Sequence, residues 1–493
     1  MPARLFRYLL FAALAISGVV LACRAIAGPF RILSVPVNSP LNAQSVFGLS
    51  VTALLALRRS SEGAPFEGKT RYATVWLAGI VVLAVVLLAP ALGYPLVFDE
   101  YTLARYGQGL NLGMAKYYLT HAGGDGFFRP LGYLSLGLDA TWAGYVPVGW
   151  HLLSFALHLG NIGLVWLLAQ RLLADDLAAL WAAALFAIHG TVLLTATYLA
   201  ARFDALAAFF VLAGLVSFGR YVEQRSRLAL GLSFGCLAAG LLSKEIAYSF
   251  PFLAVLVSGS KAKEHWRALA GLFAVVAAAF TYRYSLLGSI GGYRDPATGA
   301  LDVLQPNFVG YLKGIGLRAW SVFYFPVNWS RQLEPWLVLA LIASLLALCW
   351  ITVSGRAPRQ KLLLSLAFTI LALLPIAHLL LVDAGLWGAG RFYLPLAGFA
   401  MLLAVAIRGV PGRKQVFVGT VLVLFQVAAL RHNLGIWGAV AGMVDRTCTA
   451  VAQSGALPPA SSVPVLIDGV PFLRNGLPAC VEFRQAQART PVR

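Results

Sequence analysis

Charged residues are scarce in this chain of 493 residues. Asp, Glu, Lys and Arg together make up 12% of it, whereas 60% of the residues are hydrophobic and the mean hydropathy is +0.79. This balance excludes a soluble globular domain, in which about a quarter of the residues are charged. It is typical of a polytopic membrane protein.

Cofactor motifs are absent as well. The chain has no Walker A loop, no dinucleotide-binding glycine motif between a strand and a helix, and no HExxH. Its five cysteines and seven histidines form no cluster with zinc-ligand spacing. His151 and His158 share one face of an apolar helix, and we expect both to be buried packing residues. The sequence therefore assigns no cofactor with certainty, and a divalent metal stays open but is not favoured.

Apolar stretches long enough to span a bilayer recur along almost the whole chain. They predict an all-α polytopic membrane protein with about thirteen transmembrane helices, of which the second and the eighth are short. The approximate bounds are Leu5–Ala27, Gln44–Leu57, Ala73–Leu96, Trp150–Leu173, Leu177–Leu199, Ala205–Tyr221, Leu228–Leu242, Ile246–Ser258, Ala268–Leu287, Trp336–Val353, Leu362–Val382, Phe392–Ile407 and Gln415–Leu430.

The net charge of +19 is distributed unevenly. With a cytoplasmic N-terminus, the cytoplasmic side holds 19 of the 38 basic residues but only 6 of the 19 acidic ones. Short loops rich in Lys and Arg mark the cytoplasmic side, so the charge is a topology signal and does not indicate a nucleic-acid partner. We predict a bacterial inner membrane protein whose active site and long loops face the periplasm. Arg4, Arg7 and the apolar run to Cys23 also fit a signal peptide, but we expect an uncleaved first helix.

The adjacent carboxylates Asp99 and Glu100 are the most informative residues. They follow directly on the apolar helix Ala73–Leu96, and ionisable groups at a bilayer are a functional hypothesis by default. The plain alternative is an interfacial pair solvated by headgroups and water. The topology places further charged residues on the same outer side: Arg129, Arg202, Asp204, Lys244, Glu245 and Arg391. Acids and bases that converge on one face predict chemistry outside the cytoplasm.

The chain divides into three parts. Residues 1–72 hold two N-terminal helices and a basic linker, residues 73–431 form the helical core, and residues 432–493 form a short periplasmic tail. The outer loops 97–149 and 288–335 are long, and we expect them to contain amphipathic helices in the membrane interface. The second loop contributes the aromatic residues Trp320, Phe323, Tyr324, Phe325 and Trp329.

Two cysteines, Cys448 and Cys480, follow the last predicted helix. In an oxidising compartment such a pair is expected to form a disulfide. The predicted bond would pin the tail.

Taken in order, the outer motifs resemble the GT-C glycosyltransferases. Phe98-Asp99-Glu100 and then Phe128-Arg129-Pro130-Leu131 are similar to the acidic motif and the Arg-Pro of one branch of that superfamily. The branch contains the protein O-mannosyltransferases and the tetratricopeptide-containing transmembrane O-mannosyltransferases. The later matching segments are His151-Leu152 with His158, Phe186-Ala187-Ile188-His189, Arg202-Phe203-Asp204, Leu242-Ser243-Lys244-Glu245 and Arg391-Phe392-Tyr393-Leu394-Pro395.

The resemblance covers about residues 98–395 and has three departures. Gly190 stands where the branch usually has Pro, the two N-terminal helices are additional, and the tetratricopeptide array is absent. That array would be the obvious platform for a protein acceptor. A glycan, a lipid and a protein therefore all stay open as acceptors.

The resemblance implies a membrane glycosyltransferase whose donor is a polyprenyl phosphate-linked sugar, since nucleotide sugars are absent from the periplasm. An acceptor hydroxyl needs a carboxylate base, and the departing phosphate needs fixed cations. We therefore predict Asp99 as the general base and Glu100 as a carboxylate that positions the acceptor or shares that role. Arg129, Lys244 and Arg391 are predicted to bind the donor phosphate, with Arg202, Asp204, Glu245 and Tyr393 as supporting residues. Arg202 with Asp204, and Lys244 with Glu245, could instead be structural ion pairs, and the basic side chains could snorkel to the interface among membrane lipids.

Two alternative functions stay open beside this one. A lipid or polysaccharide transporter or flippase usually shows broken helices with ionisable groups near the membrane midplane, whereas here the charges cluster at outer helix ends. A surface-polysaccharide ligase is closer to the leading hypothesis and stays an alternative.

Overall fold

The computed structural model describes residues 2–32, 35–37, 39–57, 68–97, 99–121, 127–289, 317–354, 356–379, 382, 384–454, 466–467, 470–471 and 476–489. Phe98 of the acidic motif lies outside the described residues. Residues 290–316, which make up most of the second long outer loop of the prediction, also lie outside them.

Helices dominate the described residues, with two short antiparallel hairpins beside them. The helices are α1 Pro2–Ala27, α2 Leu41–Ala56, α3 Ala73–Leu88, α4 Glu100–Gln108, α5 Leu112–Thr120, α6 Pro130–Ala143, α7 Pro147–Leu173, α8 Asp176–Ala187, α9 Val192–Thr197, α10 Leu199–Gln224, α11 Arg227–Leu241, α12 Phe250–Ser258, α13 Trp266–Leu287, α14 Ala319–Tyr324, α15 Pro335–Ser354, α16 Arg359–Leu373, α17 Tyr393–Arg408, α18 Lys414–Ser454 and α19 Gly476–Arg489. The hairpins pair β1 Phe30–Ile32 with β2 Val35–Val37, and β3 Leu466–Ile467 with β4 Val470–Pro471.

The predicted class, an all-α polytopic membrane protein, is confirmed. Among the described residues, nine helical stretches are long and apolar enough to cross a membrane. Three shorter apolar helices accompany them: α2, α8 and α11. The predicted number of thirteen is not confirmed, partly because Glu245–Leu287 forms one nearly continuous helical stretch of 43 residues.

The predicted helix Leu177–Leu199 is wrong in its second half. Helix α8 ends at Ala187, and the chain opens around Gly190 before α9 begins. The buried backbone groups that the break leaves without helical partners are satisfied by side chains of α18, because Gln426 accepts from the Gly190 N–H and Asn433 donates to the Gly190 carbonyl. Irregular backbone at membrane depth is tolerated where protein groups satisfy it in this way. A Cβ at Gly190 would lie 2.3 Å from the Pro326 carbonyl oxygen, so only glycine fits.

The aromatic stretch of the second outer loop does not lie in the membrane interface. Trp320, Phe323 and Tyr324 are buried in the core. Phe323 stacks on Phe399 at 4.9 Å between ring centroids, and the hydroxyl of Tyr324 lies 3.1 Å from Thr52 Oγ1. The expectation of an interfacial helix was wrong here because α14 packs against α2 and α17, and apolar side chains alone do not distinguish lipid from protein.

The last transmembrane helix is much longer than predicted. Helix α18 continues from Lys414 to Ser454, so Cys448 lies within it and not after it. The predicted disulfide between Cys448 and Cys480 is confirmed, with the two Cα atoms 5.9 Å apart. It joins α18 to α19. Helix α19 in turn packs on α4, where Phe483 meets Tyr101 at 5.5 Å between ring centroids and Glu482 pairs with Arg105.

Loss of this disulfide is expected to destabilise the protein. The bond closes a separation of 32 residues, for which chain-entropy estimates give roughly 3–4 kcal/mol. The double variant Cys448→Ser, Cys480→Ser should therefore denature at a lower temperature in detergent, and wild type should do the same after reduction. Cys23→Ser is the control, since Cys23 is not bonded. Equal melting temperatures for the double variant and wild type would contradict the prediction.

The ion pairs agree with the predicted sidedness of the chain. Each of the pairs below joins two residues that the topology places on the same side of the membrane. The cytoplasmic pairs are Arg171–Glu223, Arg225–Glu264 and Arg408–Asp175, and the outer pairs are Arg105–Glu482, Arg129–Glu245, Arg202–Asp139, Lys244–Asp204, Arg283–Glu245 and Arg484–Asp445. The pairs that involve the predicted site residues thus all fall on the side that the topology predicts to be the outer one.

Candidate active site

Asp99 lies immediately before α4 and is half-buried. The hydroxyl of Tyr198 donates a hydrogen bond to its Oδ1 atom. Burial raises the pKa of Asp99, and the hydrogen bond from Tyr198 opposes that shift. A carboxylate whose pKa moves towards neutrality accepts a proton more effectively. Asp99 therefore combines partial exposure, a hydrogen bond that orients it and a raised pKa, and its role as the general base stays a prediction.

Glu100 is placed differently from its neighbour. Its side chain is buried, and both carboxylate oxygens accept backbone N–H groups, Oε2 from Val97 at 2.6 Å and Oε1 from Leu199 at 2.7 Å. Burial raises the pKa of Glu100 well above its usual range, and the two N–H donors oppose that shift. Since Leu199 begins α10, Glu100 ties the start of that helix to the segment before α4 and thereby orients Asp99 and Tyr198.

A second set of charges surrounds Glu245. The Arg129 guanidinium donates to both Glu245 oxygens, with distances of 3.2 Å from Nε and 2.8 Å from Nη2. Arg283 Nη2 lies 2.9 Å from Glu245 Oε1. The ring of Phe127 supports Arg129, with 3.9 Å between the guanidinium carbon and the ring centroid. Arg283 was not predicted, because nothing in the sequence distinguishes it from a basic residue near a helix end.

Lys244 and Asp204 form the adjoining pair, with Nζ 2.5 Å from Oδ2. Burial lowers the pKa of Lys244, and Asp204 beside it opposes the shift. The charges of Arg129 and Arg391 also act on the Asp204 carboxylate, so the two sets of charges are contiguous. We call the group of Arg129, Asp204, Lys244, Glu245, Arg283 and Arg391 the basic cluster. Its four cations and two anions have a net charge of +2, which suits an anionic ligand.

Arg202 does not belong to that cluster. It is fully buried and pairs with Asp139, and it also donates to Ser154 Oγ at 2.8 Å and to the backbone carbonyl of Trp150. The alternative pairing of Arg202 with Asp204 is wrong, because residues two apart on a helix do not face each other and Arg202 finds its partners on α6 and α7. The alternative pairing of Lys244 with Glu245 is wrong as well, because Lys244 pairs with Asp204 and Glu245 pairs with Arg129 and Arg283.

Tyr393 lies in the buried interior between α7, α8 and α17. Its hydroxyl is 2.6 Å from His158 Nδ1, and His158 Nε2 lies 3.0 Å from the carbonyl oxygen of Ala187. Since a carbonyl only accepts, Nε2 carries the proton and Nδ1 accepts from Tyr393. His158 is thus a satisfied, buried histidine, as predicted. His151 is buried as well, with Nε2 3.2 Å from the Tyr94 carbonyl oxygen.

Two further residues at the site were not predicted from the sequence. Tyr198 contacts the proposed base, and Asp139 neutralises Arg202. The signal available for Tyr198 was its position four residues before the Arg202-Phe203-Asp204 motif, one helical turn away. In the described part of the chain, no group of three or more His, Cys, Asp or Glu side chains is arranged to hold a metal ion.

Comparison with known proteins identified two relatives of similar sequence. The chain is 34% identical over 129 residues to protein O-mannosyl-transferase Tmtc1 of Drosophila melanogaster, covering 26% of this chain and 15% of the relative. It is 33% identical over 231 residues to protein O-mannosyl-transferase Tmtc2 of the same organism, covering 44% of this chain and 24% of the relative. The chain thus spans less than a quarter of the length of these relatives. No family model matches the chain. The relatives confirm the resemblance that the motifs indicated.

Two solved structures are also similar. ArnT from Cupriavidus metallidurans, bound to undecaprenyl phosphate, has 14% sequence identity and a TM-score of 0.45, covering 83% of this chain and 85% of that one. The Archaeoglobus fulgidus oligosaccharyltransferase, in complex with Zn and sulfate, has 15% identity and a TM-score of 0.42, covering 77% of this chain and 55% of that one.

Proposed function

We propose that this protein is a membrane glycosyltransferase of GT-C type that moves a sugar from a polyprenyl phosphate-linked donor to an acceptor hydroxyl. One observation carries the proposal: a half-buried carboxylate, Asp99, accepts from Tyr198 at the start of α10, and the basic cluster, with its net charge of +2, includes Asp204 near the start of the same helix. The similarity to two proteins named as O-mannosyl-transferases supports it.

In the proposed reaction, Asp99 and the basic cluster act in one displacement. The acceptor oxygen attacks the anomeric carbon of the donor sugar while Asp99 takes the hydroxyl proton. The bond between the anomeric carbon and the phosphate oxygen breaks, and the phosphate departs with the electron pair. A second carboxylic acid is not required, because phosphate is a good leaving group. One base is therefore sufficient, and Glu100 holds the base in place.

The basic cluster suits the leaving group. The phosphodiester of the donor carries one negative charge, and the departing monoester gains a second one. Fixed guanidinium and ammonium groups stabilise charge that develops in the transition state, and Arg offers paired donors to phosphate oxygens. Glu245 and Asp204 keep the cations in position when the ligand is absent.

The acceptor and the location belong to the same proposal. We place the protein in the bacterial inner membrane with the site towards the periplasm, on the charge asymmetry of the loops. A donor that must be lipid-linked fits a basic cluster at the ends of membrane-spanning helices. The acceptor is a periplasmic glycan, lipid or protein.

The direct test incubates the purified protein with polyprenyl phosphate mannose and follows the release of free polyprenyl phosphate by mass spectrometry. The acceptor is identified by comparing the membrane glycolipids and glycoproteins of cells with and without the gene. It is the species that lacks its sugar when the gene is absent. Sugar-specific release that requires the protein supports the proposal. If the protein neither releases polyprenyl phosphate nor alters any glycolipid or glycoprotein, the proposal is wrong.

Removing single cations from the basic cluster is expected to lower turnover of the donor. Arg283→Gln and Arg391→Gln each reduce the net charge from +2 to +1 and should lower kcat/KM roughly 10- to 100-fold, as expected for one charge-assisted contact to a phosphate. Arg105→Gln is the control, since Arg105 is exposed and pairs with Glu482 outside the cluster. The role of the cluster would be disproved by kcat/KM values equal to wild type in both variants.

A further inference from the structure

Aromatic rings adjoin the proposed base. Tyr198, whose hydroxyl contacts Asp99, packs against Trp387 at 5.7 Å and against Trp437 at 5.6 Å between ring centroids. Tyr198 is buried, whereas 41% of the Trp387 surface is exposed. We call these three residues the aromatic wall. Trp387 is large and partly exposed, and only the ring of Tyr198 separates it from the proposed base Asp99. Such a surface is suited to bind a ligand.

The backbone that carries Trp387 is strained. Leu386 before it has φ of +64° and Gly388 after it has φ of +81°. The other described non-glycine residues with positive φ are Ala174 and Arg225, and both cap the C-terminal ends of helices. Leu386 caps no helix. A bulky residue held in this region outside a helix end is uncommon, and such strain is concentrated at functional sites.

Hydrogen bonds from Asn328 and Trp329 hold this strained loop in place. Asn328 Nδ2 donates to the Gly385 carbonyl at 3.0 Å, and the Trp329 N–H donates to the Ala384 carbonyl at 2.8 Å. These bonds restrain the backbone two and three residues before Trp387, whose ring packs on Tyr198. A fixed aromatic surface loses little conformational entropy when a ligand covers it.

The aromatic wall is connected to the base by the contact of Tyr198 with Asp99, and to the basic cluster along two separate chain segments. Tyr198 precedes Asp204 by six residues, which corresponds to roughly 9 Å along α10. Trp387 precedes Arg391 by four residues in the second segment. Each segment therefore runs from the aromatic wall to the basic cluster. In a glycosyl transfer, the donor sugar occupies the space between the base that serves the acceptor and the phosphate that leaves.

We infer that Trp387, supported by Tyr198 and Trp437, stacks on the donor sugar ring and so distinguishes the glycosylated lipid from the free lipid phosphate. The inference rests on the proposed function and deepens it. A pyranose presents an apolar face of C–H groups, and a flat indole ring offers an apolar surface of matching size. The polyprenyl chain and the phosphate do not contact Trp387 in this arrangement. Loss of the indole ring therefore weakens binding of the sugar-bearing lipid only.

The test measures binding of two probes, polyprenyl phosphate mannose and sugar-free polyprenyl phosphate, to the purified full-length protein. Trp387→Ala should weaken binding of the mannose lipid about tenfold, as expected for one aromatic stacking contact, and leave binding of the free lipid phosphate unchanged. Trp387→Phe should retain part of the preference. Trp336→Ala is the matched control, since Trp336 is similarly exposed, at 43%, in the first turn of α15 on the outer side.

The outcomes separate this inference from the proposed function. Wild-type protein that binds neither probe overturns the proposed function. Wild-type protein that prefers the mannose lipid, with Trp387→Ala keeping that preference in full, overturns only the inference. Equal weakening of both probes by Trp387→Ala also overturns it, because Trp387 would then anchor the protein at the membrane interface. Thermal denaturation of each variant confirms that it is folded.

Discussion

Asp99→Asn is expected to abolish sugar transfer while the protein stays folded. The amide keeps the shape of the carboxylate and can still accept from Tyr198 through its oxygen, but it cannot take the acceptor proton. General base catalysis typically contributes about 10²- to 10⁴-fold, so kcat should fall by at least that factor. The measurement is the release of polyprenyl phosphate from polyprenyl phosphate mannose by the purified variant.

Glu100→Gln is the matched control for this substitution. Both carboxylate oxygens of Glu100 accept backbone N–H groups. In the Gln variant an NH₂ group replaces one of these oxygens and would point its own hydrogens at a backbone N–H donor. The expected result is a lower melting temperature and a smaller loss of kcat than for Asp99→Asn. If Asp99→Asn turns over at the wild-type rate, Asp99 is an interfacial carboxylate and the enzyme assignment loses its main support.

The pH dependence provides a further readout of Asp99. Because burial raises the pKa of its carboxyl, activity should fall with decreasing pH at a higher pH than for an ordinary Asp. The Tyr198 hydroxyl favours the ionised form, so Tyr198→Phe should raise the pKa of Asp99 and move the acidic limb of the profile to higher pH. A purely structural Tyr198 would leave that limb unchanged.

Asp139→Asn is expected to give the largest loss of stability. It removes the negative charge beside Arg202, which has no exposed surface and keeps its positive charge at any ordinary pH. An uncompensated buried charge of this kind costs about 3–5 kcal/mol. Asp139→Asn should therefore denature at a clearly lower temperature in detergent than wild type. The same variant should lose activity, since Arg202 ties α6 and α7 to the start of α10 beside Tyr198.

A double variant and an exposed pair serve as controls. Asp139→Asn combined with Arg202→Met should be less destabilised than the sum of the single variants, because no unpaired charge remains. Glu264→Gln breaks an ion pair whose side chains are more than half exposed, and such pairs contribute about 1 kcal/mol or less. If Asp139→Asn melts no lower than Glu264→Gln, Arg202 is not held in place by the buried pair.

The sequence by itself determined the membrane-protein class, and it carries the predictions of the sidedness and of the base. Hydropathy is a local property, so long apolar runs identify membrane helices without any tertiary contact. The excess of basic residues in short loops sorts the charges to two sides for the same reason. Asp99 could be predicted as a functional residue because placing an acidic pair at the end of a membrane helix costs free energy, whatever the tertiary contacts are.

Only the tertiary structure decided which charges meet. Asp99 and Tyr198 are 99 residues apart, and Arg129 and Glu245 are 116 apart. Pairing over such separations depends on how helices pack, and helix packing leaves no local signal in either segment. The sequence therefore identified Arg129, Lys244 and Arg391 but not Arg283.

Some helix ends, and the burial of apolar side chains, also depended on tertiary contacts and not on local sequence. The break at Gly190 depends on Gln426 and Asn433 from α18, so the apolar run around it still predicted a continuous helix. Tyr324 is apolar enough for the interface, yet α2 and α17 enclose it. Composition determines that a side chain leaves water, whereas the packing of other helices determines whether it meets lipid or protein.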